Sequence, residues 1–96
     1  MAATMIVNGW INPEGKEALS EYVQASTPLF AKAGGSLVSR LQTTGTLVGD
    51  NPPNLVVQMA FENAQSIQSV FESEAYKALI PLREKGFQKL DVFIAG

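Results

Sequence analysis

Tyr76 and Arg83 stand seven residues apart in the stretch FESEAYKALIPLREKGF, Phe71 to Phe87. If that stretch is helical, they lie two turns apart on one face. A tyrosine there can donate a proton or a hydrogen bond, and an arginine can clamp a carboxylate or an enolate. The same pair also suits plain structure, with the ring at the edge of a core and the arginine paired with Glu74 or Asp91. Asn8, Trp10 and Tyr22 form a second group. Its structural alternative is Trp10 as a strand-end cap and Asn8 as a hydrogen-bonding group at an interface. Arg40 and Gln58 complete the set as polar residues at strand centres, expected to neighbour each other across a hairpin. A buried Arg40 requires an acid or several carbonyls, since an unpaired buried charge is costly. It therefore meets either a dimer partner's acid or a ligand anion.

Two absences narrow the chemistry. The chain has no Cys, which removes disulfides, zinc thiolates and thiol nucleophiles. It has no His, which removes the usual general base near neutral pH and the commonest metal ligand. No metal site and no cofactor are expected, and an acid–base role would fall to Tyr76 or a carboxylate with its pKa shifted by burial or by Arg83.

The elements that position these residues can be read from pattern. Residues 4–10 alternate as a strand, with Met5, Val7 and Gly9 on one face and Ile6, Asn8 and Trp10 on the other. Asn12 and Pro13 open a helix over about 13–26. A bend is expected at Ser26-Thr27, where Pro28 starts a further turn, and Gly34-Gly35 ends the element. Residues 36–48 read as a long strand with a bulge or bend at Gly45. GDNPPN is a turn, and 55–61 is the returning strand. Asn63 and Ser73 can each cap a helical segment. Pro81 predicts a kink or an irregular last turn, Gly86 a stop, and 88–95 a closing strand. The order strand, helix, strand, strand, helix, strand is that of a ferredoxin-like α+β domain over residues 1–96, an antiparallel sheet with two helices on one face.

The 96 residues, 46% apolar and 17% charged, fit one compact domain. A net charge of -2 without a basic cluster argues against nucleic acid. No apolar run approaches a membrane span, and the N-terminus reads as a strand without a basic leader, so a cytoplasmic location is expected. The uncovered sheet face is read as carrying Val38, Val56, Ala60 and either Ile6 or Phe93, mixed with Arg40 and Gln58. Such a patch points to a homodimer through the open sheet face.

Tyr22, Pro28, Phe30 and Gly34-Gly35, followed by Gly49, Phe61, Ala64, Ser73-Glu74-Ala75-Tyr76 and Leu82-Arg83, resemble the small bacterial proteins of the domain-of-unknown-function 1330 family. The resemblance runs over about residues 5–95. It departs from the family pattern at Val70-Phe71, where an aromatic pair is usual, and at Ala33 and Ser36 on either side of the double glycine. It implies a dimeric α/β barrel and no particular activity. Related dimeric barrels include cofactor-free monooxygenases that set an Asn, a Trp and a Tyr around a polyphenolic substrate, a likeness of fold and residue type to Asn8, Trp10 and Tyr22.

Two functional readings follow. In one, Trp10, Tyr22, Tyr76 and Arg83 line a pocket for a small organic molecule, with proton transfer or cofactor-free oxygen chemistry open to it. In the other, the protein is a non-catalytic dimeric interaction or ligand-sensing module. A pocket requires Tyr76 and Arg83 to converge on one cavity; an interaction module has that space filled by Leu and Phe.

Overall fold

The computed structural model describes residues 2–96. Its elements are β1 (Ala3–Ile11), α1 (Lys16–Lys32), β2 (Ser36–Gln42), β3 (Leu55–Phe61), α2 (Ala64–Glu72), α3 (Glu74–Lys77), α4 (Ile80–Gly86) and β4 (Phe87–Ala95). The four strands form one sheet in the order β2-β3-β1-β4, antiparallel throughout. This is the ferredoxin-like α+β arrangement that the strand and helix order predicts.

Alternation along the strands assigns the two faces. Met5 and Val7 of β1, Leu55, Val57 and Met59 of β3, and Leu90 and Val92 of β4 share a cavity wall with α1 residues and so face the helices. On the open face, register brings Phe93, Ile6, Gln58 and Ser39 into one row across the sheet, and Asp91, Asn8, Val56 and Leu41 into the next. Ile6 and Phe93 are therefore both on that face, side by side.

Arg40 is not. The β2–β3 register shifts between Leu37 and Ser39, and the extra residue, Val38, turns the rest of the strand over. Ser39 consequently pairs with Gln58, at 3.3 Å between Oγ and Oε1, while Arg40 pairs with Val57 on the helix side. The bulge expected at Gly45 lies instead at Val38. β2 stops at Gln42 and leaves residues 43–54 as a loop, tied down where Asn54 donates its amide to Gly9 O at 2.8 Å.

The first helix also differs from expectation. It starts at Lys16 after a turn held by Asn12, whose Oδ1 accepts from the Glu14 amide. It then continues through Pro28 as one element, without the break and separate further turn expected after Ser26-Thr27. Pro28 costs one backbone hydrogen bond, but burial of Tyr22, Ser26 and Phe30 along the inner stripe holds the helix on both sides of it. The irregularity expected at Pro81 lies just before it: the helical region is interrupted at residues 78–79, so Pro81 stands in the first turn of α4, where a missing N–H has no helical partner to lose.

The end of α1 is a Schellman cap. Gly35 donates its amide to Phe30 O at 2.9 Å, Gly34 donates to Ala31 O at 3.0 Å, and Gly34 has φ +95°. Gly34→Val is expected to lose about 1–3 kcal/mol, the range for a strained backbone position. A urea midpoint equal to wild type would contradict the assignment of this cap.

Candidate functional site

The polar centre of the helix layer is a hydrogen-bonded run of three side chains. The Tyr22 and Tyr76 hydroxyls lie 2.7 Å apart, and Arg83 Nη1 donates to Tyr76 Oη at 3.1 Å. Each residue comes from a different helix. Tyr22 projects from the inner stripe of α1. Tyr76 is set by the break between α2 and α3: Ser73 Oγ donates to Val70 O at 2.6 Å and accepts from the Tyr76 amide, closing one helix and opening the next. Arg83 comes from α4, which packs tightly on α1; a Cβ at Gly86 would stand 2.7 Å from Leu19 Cα.

Tyr76 is 1% exposed. Its ring meets Phe71 at 4.6 Å between centroids and Phe30 at 6.2 Å, and the Arg83 guanidinium lies 5.8 Å from its centroid. The surrounding space is thus filled with aromatic side chains, and Tyr76 lines neither the cavity between α1 and the sheet nor the groove beside β4. Tyr76 and Arg83 meet, as their spacing predicts, but they do not converge on a cavity. The expected Arg83 pairing with Glu74 or Asp91 is absent too: Arg83 bonds the Tyr76 hydroxyl, and Asp91 pairs with Lys89 at 3.6 Å.

Tyr22 does line a cavity. About 200 Å³ lies between α1 and the sheet, walled by Met5, Val7, Val57, Met59 and Phe30, with Ser26 and Thr27 as further polar groups and Arg40 at the β2 side. Sequence reasoning placed Tyr22 in a pocket, put Arg40 on the open face, and did not name Ser26 as a cavity residue. The signal was the spacing: Ser26 falls four residues from both Tyr22 and Phe30, on the same helical stripe.

Burial pushes the Tyr22 phenol well above its ordinary range, and the Tyr76 hydrogen bond pushes it further; Arg83 and Ser26 act weakly the other way. At neutral pH Tyr22 is therefore a neutral phenol, able to donate a hydrogen bond and unable to act as a base.

Asn8 and Trp10 lie across the sheet from Tyr22, so the three do not form one constellation. Asn8 sits on the open face between Val56 and Asp91. Trp10 Nε1 donates to Asn51 O at 2.8 Å, fastening the long loop to β1, and Lys89 Nζ lies 4.7 Å from the centroid of the Trp10 ring.

A second concavity, an open groove of about 580 Å³, lies beside β4 and is lined by Arg83, Glu84, Lys89 and the apolar Phe71, Phe87, Leu90 and Val92. Among the described residues no helix is long and apolar enough to cross a membrane.

Comparison with known proteins places this geometry. The family model described as "Domain of unknown function (DUF1330)" matches residues 5–96. No curated protein matches the sequence. A solved structure of a protein of unknown function from Rhodopseudomonas palustris superposes with a TM-score of 0.87 at 18% identity, covering 98% of this chain and 80% of that one. A Nitrosomonas europaea protein provisionally described as an antibiotic biosynthesis monooxygenase gives 0.72 at 16% identity, over 99% and 88% of the two chains. A dimeric Bacteroides fragilis protein of unknown function and ferredoxin-like fold gives 0.65 at 11% identity, over 98% and 94%. At these identities the likeness is one of fold.

Removing the Tyr76 hydroxyl leaves both Tyr22 and the half-buried Arg83 short of a partner. Tyr76→Phe is therefore expected to lose about 1–3 kcal/mol. Tyr22→Phe should lose less, because Tyr76 keeps Arg83; equal urea midpoints for the two variants would argue against the shared network.

The unfolded Tyr22 phenol ionises near pH 10, whereas the folded one holds its proton above that. Above about pH 10 the unfolded state thus binds fewer protons, and stability falls as pH rises. Denaturation midpoints should drop there in wild type and drop less in Tyr22→Phe.

Proposed function

The chain belongs to the DUF1330 family, and from its site we propose that it binds a small, mainly apolar organic molecule in the cavity between α1 and the sheet, as a homodimer joined through the open sheet face. One observation carries the ligand reading. A space of about 200 Å³ is held open beside a close-packed aromatic cluster, whereas voids in protein cores rarely exceed a water molecule. An apolar cavity of roughly 150 Å³ accepts benzene, so this one suits a single aromatic ring with a short substituent or a chain of similar bulk. The walls supply contact area, and Tyr22, Ser26 and Thr27 supply a few polar groups to fix orientation. Arg40 stands at the mouth, exposed, where it can meet a polar end of the ligand.

The geometry favours binding over acid–base catalysis. The phenol at the cavity is held neutral, and Tyr76 is sealed behind it by Phe30 and Phe71. Any oxygen chemistry in this space would rest on the reactivity of the bound molecule itself, with the protein acting as a dry, shaped container. The named activity of the Nitrosomonas europaea neighbour is compatible with such a container and is not transferred with the fold.

The dimer reading rests on the open face. Ile6, Phe93, Val56, Ala60 and Leu41 share it with Gln58 and Asn8, and Phe93 is 52% exposed. A partner sheet would cover this mixture, and Asn8 and Trp10 then serve the interface and loop instead of the cavity. The Bacteroides fragilis neighbour of this fold is itself described as dimeric. The protein is expected in the cytoplasm.

Native mass spectrometry of freshly purified protein should show a dimer carrying a small retained mass. Val57→Phe, which adds bulk to the cavity wall, should lose that mass without lowering the melting temperature. A retained mass that survives Val57→Phe would place the ligand elsewhere. Ile6→Lys, at the centre of the open face, should yield a folded monomer by light scattering, and a persistent dimer would show that the chains pair through another surface.

A further inference from the structure

Arg83 is half-buried, its guanidinium is fixed by the Tyr76 hydroxyl and ring, and no carboxylate pairs with it among the described residues. A guanidinium carries five donors, and here one is assigned to a protein side chain. The remaining face borders the open groove beside β4. Removing a charge from water without a counter-ion is unfavourable, so a positioned and uncompensated arginine in a concavity is a site for an anion. The other charged groups of the groove do not supply the compensation. Glu84 is exposed and makes no ion pair with Arg83, and Lys89 is taken up by Asp91 and the Trp10 ring.

The groove is not independent of the cavity. Phe71, Phe87, Leu90 and Val92 line both, so a single layer of side chains separates the apolar interior from the surface on which Arg83 opens. Phe71, half-buried at the end of α2, packs on Tyr76 and borders each space. Three of the four shared residues belong to β4, whose outer edge has no strand partner, so this wall lies at a margin of the sheet and not at its centre.

We propose that cavity and groove are two halves of one site for an amphiphilic monocarboxylate: the apolar part lies between α1 and the sheet, the chain crosses the Phe71–Phe87 wall, and the carboxylate is held by Arg83. This rests on the ligand reading of the cavity given above and extends it to a chemical class. It also assigns the tyrosine pair a role. Tyr76 is a positioning residue that aims Arg83 from behind, so its loss should weaken selection of the charged head more than retention of the apolar part.

Isothermal titration with 4-phenylbutanoate and with neutral 4-phenylbutan-1-ol separates the two levels, because the compounds share ring and chain and differ in charge. Both should bind wild type, the acid at least tenfold more tightly, and only the acid should weaken as salt is raised. Arg83→Gln should bring the acid to the affinity of the alcohol and leave the alcohol unchanged; Arg83→Lys, which keeps charge without the planar fork, should fall between. Val57→Phe should weaken both compounds together. If the alcohol binds and the acid is no tighter, the carboxylate assignment falls while the cavity reading stands; if neither binds, both fall. An acid preference that survives Arg83→Gln, or one that collapses instead in Arg40→Gln, would overturn the proposal. Should Arg83→Gln fail to fold, Tyr76→Phe tests the same assignment, with a reduced acid preference expected and an unchanged one counting against it.

Discussion

The contact between the Tyr22 and Tyr76 hydroxyls, continued to Arg83, is the constraint on which the helix layer depends. Three helices meet there, and each brings a polar group into a region otherwise filled by Phe30, Phe71 and Phe87. A buried hydroxyl without a partner costs more than a formed bond contributes, so the three helices cannot slide independently. Moving α4 strands Arg83, moving α1 strands Tyr22, and moving α3 strands both. Aromatic packing alone would allow more freedom, since an edge-to-face contact tolerates a range of distances and angles. The hydrogen bonds narrow that freedom to one arrangement, and they do so beside the cavity, whose shape depends on where α1 lies above the sheet.

The backbone devices serve the same end. Ser73 interrupts the second helical region so that Tyr76 turns inward, which a continuous helix from Ala64 to Gly86 would not guarantee. Gly86 lets α4 approach α1 closely at Leu19, and Asn12 ties the end of β1 to the Lys85 carbonyl at 3.0 Å. These are small polar or glycine residues at element ends, where local hydrogen bonding competes best with regular structure. The polar network is thus built from the termini of elements, while the strands supply apolar walls.

Much of this was legible in the chain. The strand and helix order, the glycine cap after α1, the Asn63 and Ser73 caps and the Tyr76–Arg83 pairing all follow from local signals acting over a few residues. What was not legible came from tertiary balance. Pro28 signals an interruption, yet the helix runs on through it, burial on both sides outweighing one lost hydrogen bond. Val38 carries no mark of a bulge, because any β-branched residue suits a strand; the extra residue is visible only when β2 is laid against β3. That one-residue slip moved Arg40 from the open face to the helix side and separated it from Gln58, since side chains alternate with period two. The grouping of Asn8, Trp10 and Tyr22 failed for the same reason in reverse: residue type suggested a cluster, and strand alternation divided it.

The bulge matters for more than register. Without it Arg40 would stand on the open face, where a charge would oppose burial against a second sheet. With it, that row of the face presents Leu41 beside Val56, and the cationic group stands at the mouth of the cavity. Two arginines then stand towards opposite margins of the sheet: Arg40 on the edge strand β2, lining the cavity and exposed, and Arg83 beside the edge strand β4, lining the groove, half-buried and bonded to Tyr76. An exposed, solvated cation contributes little to holding an anion, because ordering its side chain offsets most of the attraction. A fixed and partly desolvated one has already met that cost in the folded state. Under the proposed ligand reading, the asymmetry between the two arginines would give the site a direction, with Arg83 at its selective end.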